Sequence, residues 1–151
     1  GALPHKVRVA DVNNDGKLDL VVSDCHTYDS VAIYYGTGGF QFDVCQEVVL
    51  GVSRSVLEHE IRDLALDDFN QDGRLDMALA CFASGRVFVL TNTSADKAIP
   101  QAFSKSAYEF ESGGKTGKPR ALCVEDFDAD GLKDIAVALW DANSIALLLG
   151  R

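Results

Sequence analysis

The sequence predicts an all-β protein in which four-stranded antiparallel units form blades of a β-propeller. An acidic loop occurs three times, and its copies begin at residues 11, 68 and 126, which are 57 and 58 residues apart. The same order of short apolar segments surrounds each copy. A period of this length indicates a tandem array of one supersecondary unit. Units of four strands that cannot bury their own faces stack on one another in propellers.

The elements follow from aligning the three copies. Each copy starts with a short strand, at Val7–Val9, Leu64–Leu66 and Leu122–Val124, whose first and third residues are apolar and predict one buried face. The loop comes next, followed by an apolar run that suits a strand covered on both faces, at residues 20–22, 77–80 and 135–139. A third strand is predicted at 31–35, 87–90 and 145–149, and a fourth at 40–49 and 102–110.

Together the copies predict one propeller segment over residues 1–151. Its blades are predicted at about 5–51, 60–112 and 119–151, and the last blade lacks its fourth strand. Propellers close with roughly four to eight blades, so three cannot form a ring alone. We expect either a part of a larger ring or copies that complete one by oligomerisation, two copies giving six blades. Uncovered blade faces would be large apolar patches, which normally mark an interface.

Composition narrows the classes of partner. The chain is 47% hydrophobic, enough for a folded core, and its formal net charge of −9 argues against nucleic acid. Ten of its 23 acidic residues lie in the three loops, so the acidity is largely local. No apolar run approaches the roughly 20 residues that a membrane helix needs, so we expect no membrane insertion.

The four cysteines leave two interpretations open. Cys25, Cys45, Cys81 and Cys123 form no CxxC pair, which makes a zinc or redox site unexpected. One or two disulfides are compatible with the sequence. The alternative is buried thiols, because Cys81 aligns with Leu139 and Cys123 with Ala65, both ordinary packing positions.

The loops carry the chemistry. Oxygen-bearing side chains at positions 1, 3, 5 and 9, with glycine at position 6, are typical of a loop that wraps a hard cation such as Ca²⁺. We predict up to three Ca²⁺ ions, with position 7 contributing its backbone carbonyl. The predicted ligands are Asp11, Asn13, Asp15, Lys17 and Asp19; Asp68, Asn70, Asp72, Arg74 and Asp76; and Asp126, Asp128, Asp130, Leu132 and Asp134.

Two other interpretations of the loops were weighed. An EF-hand needs a glutamate at position 12, where this chain has Val22, Leu79 and Val137 inside predicted strands. Asp, Asn and Gly also form tight hairpin turns without metal. Three copies with acids at positions 5 and 9 favour calcium, because packed carboxylates repel one another unless a cation joins them. The third loop has four carboxylates and should bind most tightly.

These residues resemble the VCBS/FG-GAP repeat family, the calcium-loop propeller blades also found in integrin α-subunit heads. The Asp-x-Asn/Asp-x-Asp-Gly-x-x-Asp pattern occurs in all three copies, and Gly38-Gly39-Phe40 is similar to the glycine-rich lead into the fourth strand. The Phe-Gly and Gly-Ala-Pro motifs are missing, which favours the VCBS-like branch. The resemblance implies structural calcium, a secreted, extracellular, periplasmic or cell-surface setting, and a scaffold for cell adhesion or for binding proteins or glycans.

Four residues outside the loops are candidate ligand-binding residues. Trp140, aligned with Phe82, lies beside Asp141 and could stack on a sugar ring or seal the gap between blades. Arg62 and Arg120 occupy equivalent positions, where His5 stands in the first copy, and could hold an anionic ligand or form salt bridges.

No catalytic motif is complete, so we predict a non-catalytic binding module. His59-Glu60-Ile61-Arg62-Asp63 has Asp where a zincin needs its second His, and it runs into a strand. Gly113-Gly114-Lys115-Thr116 resembles the end of a P-loop without its first glycine or its helix. Two alternatives remain: the non-catalytic part of a propeller-bearing polysaccharide lyase or hydrolase, and a purely structural self-assembling fragment.

Overall fold

The computed structural model describes residues 4–24, 30–51, 60–95, 97, 99–112 and 115–151. These residues form thirteen strands and no helix, as the repeat predicts. Two four-stranded sheets, one three-stranded sheet and a two-stranded hairpin account for all of these strands. Among the described residues, no helix has the length and apolar character needed to cross a membrane.

The strands follow one another as antiparallel meanders. Sheet 1 contains β1 (Pro4–Ala10), β2 (Asp19–Asp24), β3 (Ser30–Gly38) and β4 (Gln41–Val49); sheet 2 contains β5 (Ile61–Asp67), β6 (Asp76–Cys81), β7 (Arg86–Asn92) and β8 (Phe103–Glu109). The hairpin consists of β9 (Glu111–Ser112) and β10 (Lys115–Thr116), and sheet 3 contains β11 (Pro119–Glu125), β12 (Asp134–Leu139) and β13 (Ser144–Leu148). The predicted order of strands is confirmed; the hairpin was not predicted.

The register of the first two strands is the same in every sheet. Val9 pairs with Leu20, and the equivalent pairs are Leu66 with Met77 and Val124 with Ile135. Because the acidic loop connects these two strands, identical registers place each loop at the same end of its sheet. The sequence repeat is therefore also a repeat of backbone geometry.

Sheet 2 lies between the other two sheets. One core joins sheets 1 and 2, with Ile33 and Tyr35 packed near Leu64 and Met77, and a second core joins sheets 2 and 3. Every residue of β6 is buried, which confirms the prediction of a strand covered on both faces for this copy. The third copy differs, since Ala138 of β12 is exposed. Complete burial of the second strand therefore requires a neighbouring sheet on each side.

The predicted buried face of the first strand is wrong for the first copy. Val7 and Val9 are 53% and 56% exposed, whereas the equivalent Leu64 is fully buried and Leu66 packs against the core between sheets 1 and 2. The alternation is correct in all three copies, but burial depends on what stacks over the face. Among the described residues, no sheet covers this side of sheet 1. The boundaries of the blades and the closure of a ring stay predictions.

The cysteines differ in their surroundings. Cys81 is buried in the core between sheets 1 and 2, as the packing interpretation expects. Cys45 and Cys123 are exposed free thiols. Cys123 aligns with the half-buried Ala65 but lies on the uncovered side of sheet 3, which explains the difference. Cys25 lies outside the described residues.

Candidate metal centre

Loops 1, 2 and 3, the acidic loops that begin at Asp11, Asp68 and Asp126, each contain two left-handed residues. The position-6 glycines Gly16, Gly73 and Gly131 have φ of 87°, 81° and 91°. Such values strain a residue with a Cβ, which explains why glycine occupies this position in every copy. Position 4 is left-handed as well, with φ of 58° at Asn14, 59° at Gln71 and 61° at Ala129. Only Asn14 belongs to the residue types that favour this conformation, so the sequence did not reveal it.

The carboxylate at position 1 organises the loop. In loop 3, Asp126 accepts hydrogen bonds from the backbone N–H groups of Asp130 at 3.2 Å and Gly131 at 3.0 Å. Asp11 and Asp68 accept the equivalent bonds in the other loops. These are local side-chain to backbone turns of the kind that Asp and Asn favour. The loop backbone is thus held by its own acidic side chains.

The carboxylate at position 9 has a different environment. Asp19, Asp76 and Asp134 are completely buried. In loop 3, Asp134 accepts the N–H of Phe127 at position 2 and the N–H of Gly150 after the third strand, both at 2.8 Å. The same two bonds occur at Asp19 and Asp76. Position 9 therefore fastens the loop to the third strand, and each oxygen keeps a further lone pair for a cation.

Burial affects these carboxylates unequally. Desolvation raises the pKa of Asp19 and of Asp76 above the ordinary value, against the opposing effect of their backbone hydrogen bonds. At Asp134, backbone hydrogen bonds from Gly150 and Phe127 outweigh desolvation and lower the pKa. Loop 3 therefore holds the position-9 carboxylate that ionises most readily.

The third loop brings three carboxylates together. Asp126, Asp128 and Asp130 each place one oxygen within 4.8 Å of the others. Carboxylates at this separation repel one another in their charged form unless a cation lies between them. Oxygen-only donors suit a hard cation such as Ca²⁺, so these residues fit the predicted ion. Among the described residues, no other group of three acidic, histidine or cysteine side chains converges in this way.

The side chain at position 7 distinguishes the loops. Arg74 forms an ion pair with Asp72 at 2.5 Å, and Lys17 lies 3.8 Å from Asp15. Desolvation opposes ionisation of Asp72, but hydrogen bonds from Asn70 and Arg74 and the charge of Arg74 lower its pKa. In loops 1 and 2, the cationic side chain at position 7 thus lies beside the carboxylate at position 5. Loop 3 has Leu132 at position 7, which leaves its acidic group without such a neighbour.

Two arginine–aromatic stacks contain three of the four candidate ligand-binding residues, and Lys118, which pairs with the fourth, Asp141, has its Nζ 5.5 Å from the centre of the Phe82 ring. The Arg120 guanidinium lies 4.6 Å from the centre of the Trp140 ring, and Trp140 is 61% exposed. Arg62 makes the equivalent contact with Phe82 at 5.3 Å and forms an ion pair with Glu60, as the alternative interpretation expects. Asp141 is paired with Lys118 at 3.1 Å. The repeated arginine–aromatic stack was not predicted, although both partners align in the sequence.

The incomplete enzyme motifs lie on strands. Ile61 to Asp63, from the zincin-like stretch, begin β5 rather than a helix, and His59 lies outside the described residues. Lys115 and Thr116 form β10, so no helix follows the P-loop-like stretch. Both motifs require a helix, and the described residues Ile61 to Asp63 and Lys115–Thr116 are in strands instead.

The fold and the site together define a class of protein. It is a stack of antiparallel meanders of three or four strands, each with an Asp-rich, glycine-containing loop between its first and second strands. The model of one family, described as the FG-GAP-like repeat, matches residues 68–137. This segment runs from the first residue of loop 2 into β12, and its match to the FG-GAP-like repeat confirms the predicted resemblance there. No curated protein matches the chain. Loop 1 lies outside the matched residues but shows the same loop hydrogen bonds.

Proposed function

We propose that the protein is a calcium-stabilised, non-catalytic propeller repeat module that binds a protein or glycan ligand. The convergence of Asp126, Asp128 and Asp130 is the observation that carries the calcium part of this proposal. The family match supports a propeller-type module. Calcium modules that work outside cells bind at about 10⁻⁴–10⁻³ M. The resemblance to the repeat family supports our proposal of an extracellular, periplasmic or cell-surface setting.

Calcium would stabilise the blades by joining parts of each sheet. Positions 1, 3 and 5 belong to the loop, whereas the position-9 carboxylate begins the second strand and holds the end of the third. An ion bound by the loop carboxylates and the position-9 carboxylate would hold the hairpin of the first two strands against the third strand. A cation that binds only the folded state raises the free energy of unfolding by about 2.7 kcal/mol at a concentration of 100 times Kd.

The three loops should differ in affinity. Loop 3 offers four carboxylates and no cationic side chain at position 7. In loop 2 a cation has to compete with the guanidinium of Arg74, which already contacts Asp72. Lys17 is farther from its carboxylate, so loop 1 should lie between the other two. The expected order of calcium affinity is loop 3, loop 1 and loop 2.

Thermal unfolding with calcium and with a chelator tests the proposal. We expect a clear rise of Tm with calcium, and calorimetry should show that Asp128→Asn weakens the tightest site. Asp141→Asn, which changes a carboxylate outside the loops, is the matched control and should leave calcium binding unchanged. An identical melt with and without calcium would show that the loops are polar turns without a structural ion.

Ligand binding is proposed for the surface around Arg120 and Trp140. An exposed tryptophan stacked on an arginine combines an apolar ring with a positive charge, which suits a sugar ring or an acidic peptide segment. A glycan array and a protein-binding screen with calcium present should give signals that Trp140→Ala removes. Phe40→Ala, which changes another exposed aromatic residue, should keep them. Equal signals from both variants would exclude this surface.

A further inference from the structure

Asn92 stands at a position where the other two sheets have glycine. Near the end of its third strand, each sheet donates one N–H to its position-9 carboxylate, from Gly36, Asn92 and Gly150. A Cβ added to Gly36 would collide with the carbonyl oxygen of Leu18, and one added to Gly150 would lie 2.7 Å from the Cβ of Leu132. Close approach of the loop therefore explains the two glycines, whereas sheet 2 accommodates a side chain there.

Asn92 contacts three consecutive positions of loop 2. Its N–H donates to Asp76 Oδ1 at 2.7 Å, and its Nδ2 donates to the carbonyl of Leu75 at 3.4 Å. The Nε–H of Arg74 donates to the carbonyl of Asn92 at 3.3 Å. Positions 7, 8 and 9 of loop 2 are therefore all bonded to this one residue.

The same residue and the segment after it also contact loop 1 of the neighbouring sheet. Asn92 Nδ2 donates to the carbonyl of Val12 at 3.5 Å, and the N–H of Lys97 donates to the carbonyl of Asn13 at 2.6 Å. Val12 and Asn13, at positions 2 and 3 of loop 1, are 1% and 2% exposed. The segment that begins at Asn92 thus holds the backbone of loop 1.

The surroundings of Asn92 allow it one arrangement. It is 1% exposed, its Oδ1 accepts the N–H of Ser94 at 3.0 Å, and its Nδ2 also donates to Gln101 Oε1 at 2.8 Å. The N–H of Gln101 is in turn bonded to Tyr35 and Gln46 of sheet 1. A buried amide in such a network cannot turn without breaking several hydrogen bonds. A shift of Asn92 at one loop would therefore be felt at the other.

We propose that Asn92 couples the calcium sites of loops 1 and 2, so that an ion bound in one loop raises the affinity of the other; this rests on the calcium binding proposed above. An ion held by Asp76 fixes its bond to Asn92, and Asn92 in turn holds the carbonyl of Val12. Because the first ion orders these contacts, the second ion loses less conformational entropy on binding. Gly150, the equivalent residue of sheet 3, has no side chain to reach loop 2, so loops 2 and 3 lack this connection.

Calcium titration followed by NMR tests the coupling, because one amide signal reports on each loop. Gly16, Gly73 and Gly131 donate their N–H groups to the position-1 carboxylates, so their signals should shift as the loops fill. Asp11→Asn weakens loop 1 without touching loop 2. We expect it to raise the calcium concentration that half-saturates loop 2 by about fivefold or more, which is the usual lower range of coupling between sites. The half-saturation of loop 3 should stay unchanged.

Variants of Asn92 then show whether this residue carries the coupling. Asn92→Gly introduces the residue of the other two sheets, and Asn92→Ala removes the amide but keeps the Cβ; circular dichroism checks that each variant folds. In either background, Asp11→Asn should change the half-saturation of loop 2 by about twofold or less. Thr93→Ala is the matched control, because its exposed hydroxyl bonds to Ala102 and to neither loop, and it should keep the full effect.

The outcomes separate this coupling from calcium binding itself. If none of the three glycine signals responds to calcium, both proposals are overturned. If the signals respond but Asp11→Asn leaves the half-saturation of loop 2 unchanged, calcium binding stands and the coupling is overturned. An effect of Asp11→Asn that is equally large with and without the Asn92 side chain would assign the coupling to another contact, such as that of Asn14 with Gly73, and would overturn the role of Asn92.

Discussion

At the scale of single residues, Tyr35 shows how a buried hydroxyl joins sheet 1 to the segment that leads into β8. Its side chain is 2% exposed, and its O–H donates to Gln46 Oε1 at 2.5 Å. The backbone N–H of Gln101 donates to the Tyr35 hydroxyl and to Gln46 Oε1, at 3.2 and 2.7 Å. Burial raises the pKa of Tyr35 to about 12. The phenol therefore stays neutral in the folded protein at pH values where it ionises in the unfolded chain.

The raised pKa of Tyr35 predicts that the folded protein loses stability at alkaline pH. Its folded pKa exceeds the unfolded value of 10.0, so its contribution is complete below pH 10 and is lost as the pH rises through about 12. The pKa difference is two units at about 1.4 kcal/mol each, so the complete loss should be about 3 kcal/mol.

Urea unfolding between pH 9 and 12 measures this effect against Tyr35→Phe. The variant should be less stable at neutral pH by about 1 kcal/mol, because the buried N–H of Gln101 and the amide of Gln46 lose a partner. It should also show a smaller alkaline decline than the wild type. Parallel declines in the two proteins would assign the alkaline effect to other groups.

The position-9 carboxylates also show which contacts of the loops a sequence pattern cannot predict. The pattern identified Asp19, Asp76 and Asp134 as oxygen donors, and their role as ligands stays a prediction. Their other role is to accept two backbone N–H groups each, one from position 2 of the same loop and one from a donor 16 or 17 residues further along the chain. Spacing within a nine-residue loop contains no information about such distant partners.

At the scale of elements, neighbouring loops are joined by side-chain amides. Asn14 Nδ2 donates to the carbonyl of Gly73 at 3.1 Å, and Gln71 Nε2 donates to the carbonyl of Gly131 at 2.6 Å. Position 4 of one loop thus contacts position 6 of the next. Loop 3 has Ala129 at this place and cannot donate in the same way. The left-handed backbone at position 4 accompanies this contact in loops 1 and 2.

Removing one of these contacts should cause a small loss in the free energy of unfolding. Gln71→Ala keeps a Cβ on the left-handed backbone, so it deletes only the amide, and it should lower the free energy of unfolding by about 0.5–1 kcal/mol. Gln71→Asn introduces the residue found in loop 1 and should retain stability. Denaturant unfolding of the three proteins measures the difference. If Gln71→Ala proved as stable as the wild type, the contact would contribute nothing to the stability of the protein.

At the scale of the whole molecule, one carboxylate connects all three sheets. Asp63 of β5 is buried, and its Oδ1 lies 3.0 Å from Lys6 Nζ and 3.2 Å from Arg8 Nη2 of β1. Its Oδ2 accepts the N–H of Leu122 of β11 at 3.0 Å. In the sequence, Asp63 was notable only as the residue that breaks a zincin motif. Its partners come from both neighbouring repeats, so no local pattern could reveal this role.

Asp63 should therefore be costly to replace. Asp63→Ala leaves two cationic side chains and a backbone donor without their acceptor, and we expect a loss of about 2–3 kcal/mol of stability. Asp63→Asn keeps an acceptor for Leu122 and should lose less. Asp141→Ala removes a more exposed ion pair and should cost about 1 kcal/mol or less. Chemical unfolding of the three variants compares them, and equal losses would contradict a connecting role for Asp63.

The sequence by itself determined the strands, their order, the repeat and the position of the acidic loops, because each depends on local periodicity and turn chemistry that recur in every copy. Only the tertiary structure decided which faces are buried. Val7 and Leu64 occupy equivalent positions, yet one is exposed and the other buried, since burial depends on the neighbouring sheet. In the loops, the glycine turn at position 6 was predictable. The contacts of Gln71, and of the position-9 carboxylates with the third strand, were not, because these partners are distant in the chain, and the same is true of Asp63 in β5.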